Sequence, residues 1–366
     1  MKRKRMLVLL MTISLVIMVV GCSAQGSNTS KTDEKISITD SLGRTVEFES
    51  TPEKAVAIGA GALRLYAYVA DTEKLVGVEE IEKSDSAGRP YAIANPQFAD
   101  LPTIGAGGPN NAPDPEQLLK VEPDVIFTTY AGDAAAADEL QSKTGIPVVA
   151  LSYGTEGVFG DAIYSSMEKI GEVMGDTKKS TAAVAYLKEC QADLNKRTEG
   201  VDQAAKATTY VGGLGSKGAQ GIVSTQGNYS LFNAINAVNV VDETGKNGGL
   251  MIDKEQLIKW NPTVIFLDHG GLVKVKEDMM ANPDYYAALE AFKTDQVYMI
   301  LPYNSYTTNL DTAIADAYYM GTVLYPEKFN DVDPAKKADE IYETLLGTKV
   351  YDQMVKDFGA YGKIPK

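Results

Sequence analysis

Residues 116–127, EQLLKVEPDVIF, return almost letter for letter at residues 255–266 as EQLIKWNPTVIF, and no other feature of the chain constrains its fold as tightly. Eight of the twelve positions are identical, and residue 255 lies 139 positions after residue 116. In each copy an amphipathic helix end (Leu118 and Leu119; Leu257 and Ile258) runs towards a proline, Pro123 or Pro262, that cannot continue it. An apolar, β-branched run follows, Val125-Ile126-Phe127 and Val264-Ile265-Phe266, the pattern of a buried parallel strand. The spacing is too wide for a solenoid, whose repeats run roughly 20–50 residues. One helix–proline–strand unit used twice instead predicts two similar α/β lobes. Such lobes present the carboxyl ends of their strands to a shared crevice, where α/β folds hold ligands.

The remaining pattern agrees with an α/β class. Strands are predicted at 55–59, 75–79, 125–130 and 148–153 in the first half, and at 208–212, 238–242, 264–268 and 297–301 in the second. Helices are predicted at 62–70, 114–121, 134–144, 229–237, 253–260, 283–292 and 310–324. Strands separated by helices imply parallel sheets with right-handed crossovers. Between the halves, 161–197 is nearly all helix-forming: Ile163, Met167, Ile170 and Met174 stripe one face, and Val184, Leu187 and Leu194 continue it beyond Gly175-Asp176. The expectation is two Rossmann-like lobes, 36–158 and 199–366, joined by a single long helix within 159–198, with a ligand cleft between them. A helical link predicts small opening motions.

The amino terminus carries an address. Lys2-Arg3-Lys4-Arg5 precedes an apolar stretch from Met6 to Val20, broken only by Thr12 and Ser14. That is short for a membrane span of ~20 residues and suits a signal-peptide core. Val19-Val20-Gly21-Cys22 resembles a bacterial lipobox, which predicts a signal peptide over 1–21, lipid on Cys22 and a polar tether over 22–35. Lys and Arg number 35 and Asp and Glu 49; without residues 1–21 the balance is 31 against 49. So acidic a chain argues against nucleic acid as a partner. Cys190 is the other cysteine, so a lipidated Cys22 leaves no intramolecular disulfide.

Loops that follow strands supply the candidate ligand-binding residues. Tyr303, Asn304 and Tyr306 lie in the polar stretch after the 297–301 strand, with Asn309 expected to cap the next helix. Tyrosine suits the task, since its phenol ligates ferric iron and its ring stacks on flat complexes. In the first half Arg89 is the best anion anchor, beside Tyr91, with Tyr130 and Tyr153 at equivalent places after their strands. Gly213-Leu214-Gly215-Ser216-Lys217-Gly218 fits G-x-G-x-x-G but runs into Val223-Ser224-Thr225 rather than a helix. It reads as a cleft rim with Lys217 and Tyr229 as contacts, and no cofactor is expected. His269 is the single histidine, a candidate metal ligand, but no cluster for a naked divalent cation surrounds it. An exported hydrolase is the alternative outside the binding class; no serine–histidine pairing supports it.

Several stretches carry a resemblance: ISITDSLGRTVEFESTPEKAVAIG with LVGVEE, the two EQL units, SMEKIGEVMGDTKKSTAAVAYL, and LYPEKFNDVDPAKKADEIYETLLG. Together they are similar to the class III periplasmic substrate-binding proteins, whose helical-backbone fold serves ABC importers for iron chelates, haem and cobalamin. The resemblance implies a monomeric, non-enzymatic receptor that delivers a small-molecule metal complex to membrane permease subunits. It further implies that Glu116 and Glu255 dock on those subunits. The tail resembles the iron-complex branch, with molybdate or tungstate and a corrinoid as alternative cargoes.

Overall fold

The computed structural model describes residues 35–84, 86–108, 111–216 and 218–365. The signal peptide, Cys22, the tether up to residue 34, and Lys217 lie outside the described residues.

A hairpin opens the fold. Strands β1 (Ile36–Thr39) and β2 (Thr45–Phe48) pair antiparallel, Ile36 opposite Phe48, with Ile38, Val46 and Phe48 turned inward. Buried Asp40 makes the turn, taking the backbone N–H groups of Leu42 (2.9 Å) and Arg44 (3.0 Å). Its second oxygen accepts from Arg44 Nη1 and from Ala150 N, which stitches the hairpin to the neighbouring sheet. That sheet is parallel, in the order β3 (Ala55–Ile58), β4 (Val125–Thr128), β5 (Val148–Ala150). The predicted strand at 75–79 forms only isolated bridges, Ala55 to Leu75 and Val78 to Thr103.

The predicted connecting segment, 159–198, holds a shorter helix followed by one long one. Asp161–Met174 stops at Gly175, which adopts φ +76° and so reverses the chain. Thr177–Thr198 then folds back against it. The second helix alone spans 22 residues, about 33 Å at the usual rise, and buries Ala183, Val184, Leu187, Cys190 and Leu194.

Beyond it come β6 (Thr208–Gly212), β7 (Ser224–Gly227), β8 (Val238–Asn239), β9 (Gly248–Met251), β10 (Val264–Asp268), β11 (Val297–Ile300) and β12 (Gly362–Lys363). The second sheet runs β12-β11-β10-β6-β8, parallel except for β12 at the edge, while β7 and β9 form a separate antiparallel ribbon.

The repeated Val-Ile-Phe tripeptides show why the sheets need covering on both faces. Val125 and Phe127, like Val264 and Phe266, point into one continuous apolar core. That core also holds Leu65 and Tyr66, Met167, Leu187, Phe232, Ile314 and Ile341, so it runs from one sheet to the other. Ile126 and Ile265 point the opposite way, each into a separate cluster on the far side of its own sheet. The alternation is what strands buried on two faces require.

Candidate functional site

A cleft of about 620 Å³ opens where the carboxyl ends of the two sheets meet. Ala60, Ile81, Gly88 and Arg89 line it from the first half. Gly215, Asp268, Pro302, Ser305, Tyr306, Thr307 and Phe358 line it from the second. Four of these positions are strand exits: Ala60 after β3, Gly215 after β6, Asp268 at the end of β10 and Pro302 after β11. The walls are thus mostly small residues, hydroxyls and two aromatic rings.

The floor rests on a residue that sequence reasoning passed over. Arg64, fully buried on the Ala62–Val69 helix, reaches across to the loop after β11. Its Nη2 donates to Ser305 O (2.6 Å) and Tyr306 O (3.2 Å), its Nη1 to Tyr306 O and Tyr153 Oη (3.2 Å each), and its Nε to Asn309 Oδ1 (2.8 Å). The guanidinium also lies over the Tyr91 ring, 4.7 Å from its centre. Asn309 occupies the N-cap position of helix Leu310–Leu324, but its side chain makes no cap bond, against expectation. It is held instead by Arg64 and donates to Gly88 O (2.8 Å) and Tyr303 O (3.1 Å).

Burial shapes the charges. Asp268 is buried and accepts from Gly270 N at 2.7 Å, yet loss of solvent pushes its carboxyl up to about 7. Burial likewise raises Glu79, against the bonds it accepts from Gly59 N and Tyr306 Oη (3.0 Å each). No three His, Cys, Asp or Glu among the described residues cluster as a metal site.

The sequence-derived candidates scatter. Asn304 and Tyr306 stand in the cleft wall, and Asn304 also donates to Gly215 O at 2.8 Å. Arg89 touches the cleft, but its guanidinium bonds Ile81 O (2.5 Å), Ser84 O (3.1 Å) and the Glu82 carboxylate (3.4 Å). Tyr91 is buried against Glu82 (2.6 Å). Tyr229 and Tyr303 are buried beside each other, ring centres 6.4 Å apart, beneath the wall. Tyr153 braces Gly61 O and Arg64. Tyr130 is 41% exposed and outside the cleft lining. His269 is buried too: its Nε2 lies 3.1 Å from Ala360 O and its ring packs on Gly359, so it pins the C-terminal segment. The signal for Arg64 was present, as the lone cation in the otherwise apolar run Ala62-Leu63-Arg64-Leu65-Tyr66.

A second hollow of about 730 Å³ lies beside the Thr177–Thr198 helix, lined by exposed Lys188, Gln191 and Asn195. Its lining comes mostly from the helices Asp161–Met174, Thr177–Thr198 and Ser230–Ala234, whereas the cleft is built on exits of parallel strands and is the better candidate.

The sequence profile described as "Periplasmic binding protein" matches residues 56–303. The molybdate-binding protein MolA of Haemophilus influenzae is 25% identical over 357 residues, covering 92% of this chain and 97% of that one. Its molybdate-bound structure matches with a TM-score of 0.65 at 23% identity, over 86% of this chain and 98% of that one. A periplasmic solute-binding protein of Veillonella parvula gives 0.71 at 18% identity, over 89% and 97%. The TroA-like binding protein FepB of the same organism gives 0.65 at 21%, over 86% and 97%. This chain belongs to the periplasmic binding protein family, in its helical-backbone class serving ABC importers. It is therefore an extracytoplasmic substrate-binding receptor.

Proposed function

We propose that this periplasmic binding protein captures a bulky metal chelate, an iron complex of siderophore type, in the interlobe cleft and delivers it to an ABC importer. The observation that carries the cargo reading is the size and lining of the cleft. About 620 Å³ falls in the range of pockets that hold drug-sized ligands, roughly 300–1,000 Å³, and a single tetrahedral oxyanion would leave most of it empty. Tyr306 and Phe358 offer rings to stack on a chelate; Ser305, Thr307 and Asn304 offer donors to its oxygen atoms. Calorimetry and native mass spectrometry with ferric catecholates and hydroxamates, cobalamin, molybdate and tungstate test this. A ferric chelate should bind at micromolar Kd or tighter; none below millimolar would sink the assignment.

Molybdate or tungstate is the second reading. It is favoured by the similarity to MolA and by Gly88, Gly215 and Gly218 in the cleft wall, where the backbone can approach an oxyanion closely. Molybdate binding tighter than every chelate would select it.

Glu116 and Glu255 are proposed to dock the loaded receptor on the permease subunits. Both are exposed in the first turn of helices Pro115–Lys120 and Lys254–Trp260. In a parallel α/β unit such helices run antiparallel to the strands, which puts their N-termini at the cleft edge. Glu116→Ala with Glu255→Ala should leave cargo Kd within about twofold and abolish stimulation of the importer's ATPase. Normal stimulation would remove the proposal. Lipid on Cys22 would hold the receptor at the membrane, and Cys22→Ala should shift it to the soluble fraction.

A further inference from the structure

We infer that Arg64 and Glu79 are positioning residues that hold Tyr306 as a fixed strut across the cleft, and that this strut sets the size of cargo the receptor takes. The inference rests on the reading that the cleft holds the ligand.

Tyr306 belongs to the loop after β11, on the second-sheet side, yet both its ends are fastened to the first-sheet side. Its carbonyl accepts from both terminal nitrogens of Arg64, at 3.2 Å each. Its phenol donates to Glu79 Oε2 at 3.0 Å and accepts from Gly108 N at 2.9 Å. Neither anchor is incidental. The Arg64 guanidinium lies wholly buried and, among the described residues, bonds no carboxylate; carbonyls of the strut loop, Asn309 and the Tyr153 hydroxyl surround it instead. Glu79 is itself backed by Gly59 N, and a Cβ at Gly107 would sit 2.9 Å from its own Cβ, so the glycine makes room for it. The backbone bears the cost: Tyr306 and Thr307 adopt φ +49° and +68°, a conformation that L-residues hold in succession only when surrounding contacts impose it.

A side chain tied at both ends cannot swing aside for a larger ligand. Tyr306 closes the cleft towards the Gly107–Gly108 loop and confines cargo to the side of Ala60, Arg89, Asp268 and Phe358. Releasing it enlarges the site in that direction.

Hydrogen exchange of the empty protein, read by mass spectrometry, tests the strut without a ligand. Tyr306→Phe and Glu79→Ala should speed exchange at least tenfold over residues 105–108, leaving β4 unchanged. Glu79→Gln, which keeps an acceptor, should stay near wild type. Arg64→Lys should speed exchange over 302–309. Tyr306→Gly, which suits the positive φ, should lower the Kd ratio of cyanocobalamin to molybdate at least tenfold. Wild-type exchange in Tyr306→Phe and Glu79→Ala, or an unchanged ratio in Tyr306→Gly, overturns the inference. If wild type binds neither probe, the exchange measurements alone decide the strut, and the ferric-chelate reading stands or falls on its own titrations.

Discussion

Alanine at Gly61 should destabilise the protein by about 2–4 kcal/mol and weaken cargo binding at least tenfold. Gly61 precedes the helix that carries Arg64 and holds φ +81°, which alone disfavours any side chain by roughly 1 kcal/mol. A Cβ there would collide with the Tyr153 hydroxyl and with the methyl group of Thr307, a cleft residue from the other side. Relief requires moving either Tyr153, which braces Arg64, or the loop that forms the cleft wall. Overpacking of this kind typically costs 1–3 kcal/mol, and it falls where cargo binds. Urea denaturation and calorimetry measure the two effects; a stable variant with wild-type affinity would show that the lobes meet more loosely at this point.

Asp268→Asn should stabilise the protein at pH 8 by up to about 4 kcal/mol and have little effect at pH 4. The buried carboxyl titrates near 7 in the fold against an ordinary 3.8, so the folded state holds the proton more tightly. The stability this group contributes is full below about pH 3.8 and is lost as pH rises through about 7. Asparagine keeps an acceptor for Gly270 N and never ionises. Asp316, raised chiefly by burial and further by Asp268, shifts in the same direction. His269, lowered by burial, acts below its ordinary 6.5 and is common to both proteins. Denaturation curves at pH 4, 6 and 8 give the difference directly; a pH-independent offset would contradict the buried-carboxyl account.

Regular elements were legible because periodicity reports burial. The repeat located β4 and β10 with their preceding helices, and helix Leu310–Leu324 falls where its pattern places it. The hairpin of β1 and β2 and the β7–β9 ribbon escaped notice, since short antiparallel pairs leave little periodic signal. The candidate site was harder to read. Position after a strand narrows the choice to a loop, but cannot say whether a tyrosine faces the cleft, like Tyr306, or packs beneath it, like Tyr303 and Tyr229. Arg89 looked available because its partners, the carbonyls of Ile81 and Ser84, are backbone groups that every sequence carries. Arg64 was overlooked because Ser305, Tyr306 and Asn309, its partners across the cleft, lie more than 240 residues away, a pairing no local pattern encodes.

The continuous apolar core between the two sheets bears on how an importer can tell a loaded receptor from an empty one. Two bodies that share one close-packed interior resist reporting occupancy by a wide swing. The message must be local, written in the loops at the mouth of the cleft and read by whatever touches them. Recognition of a full receptor is then a matter of surface texture at the rim, including the cargo's own exposed face, rather than of changed overall shape.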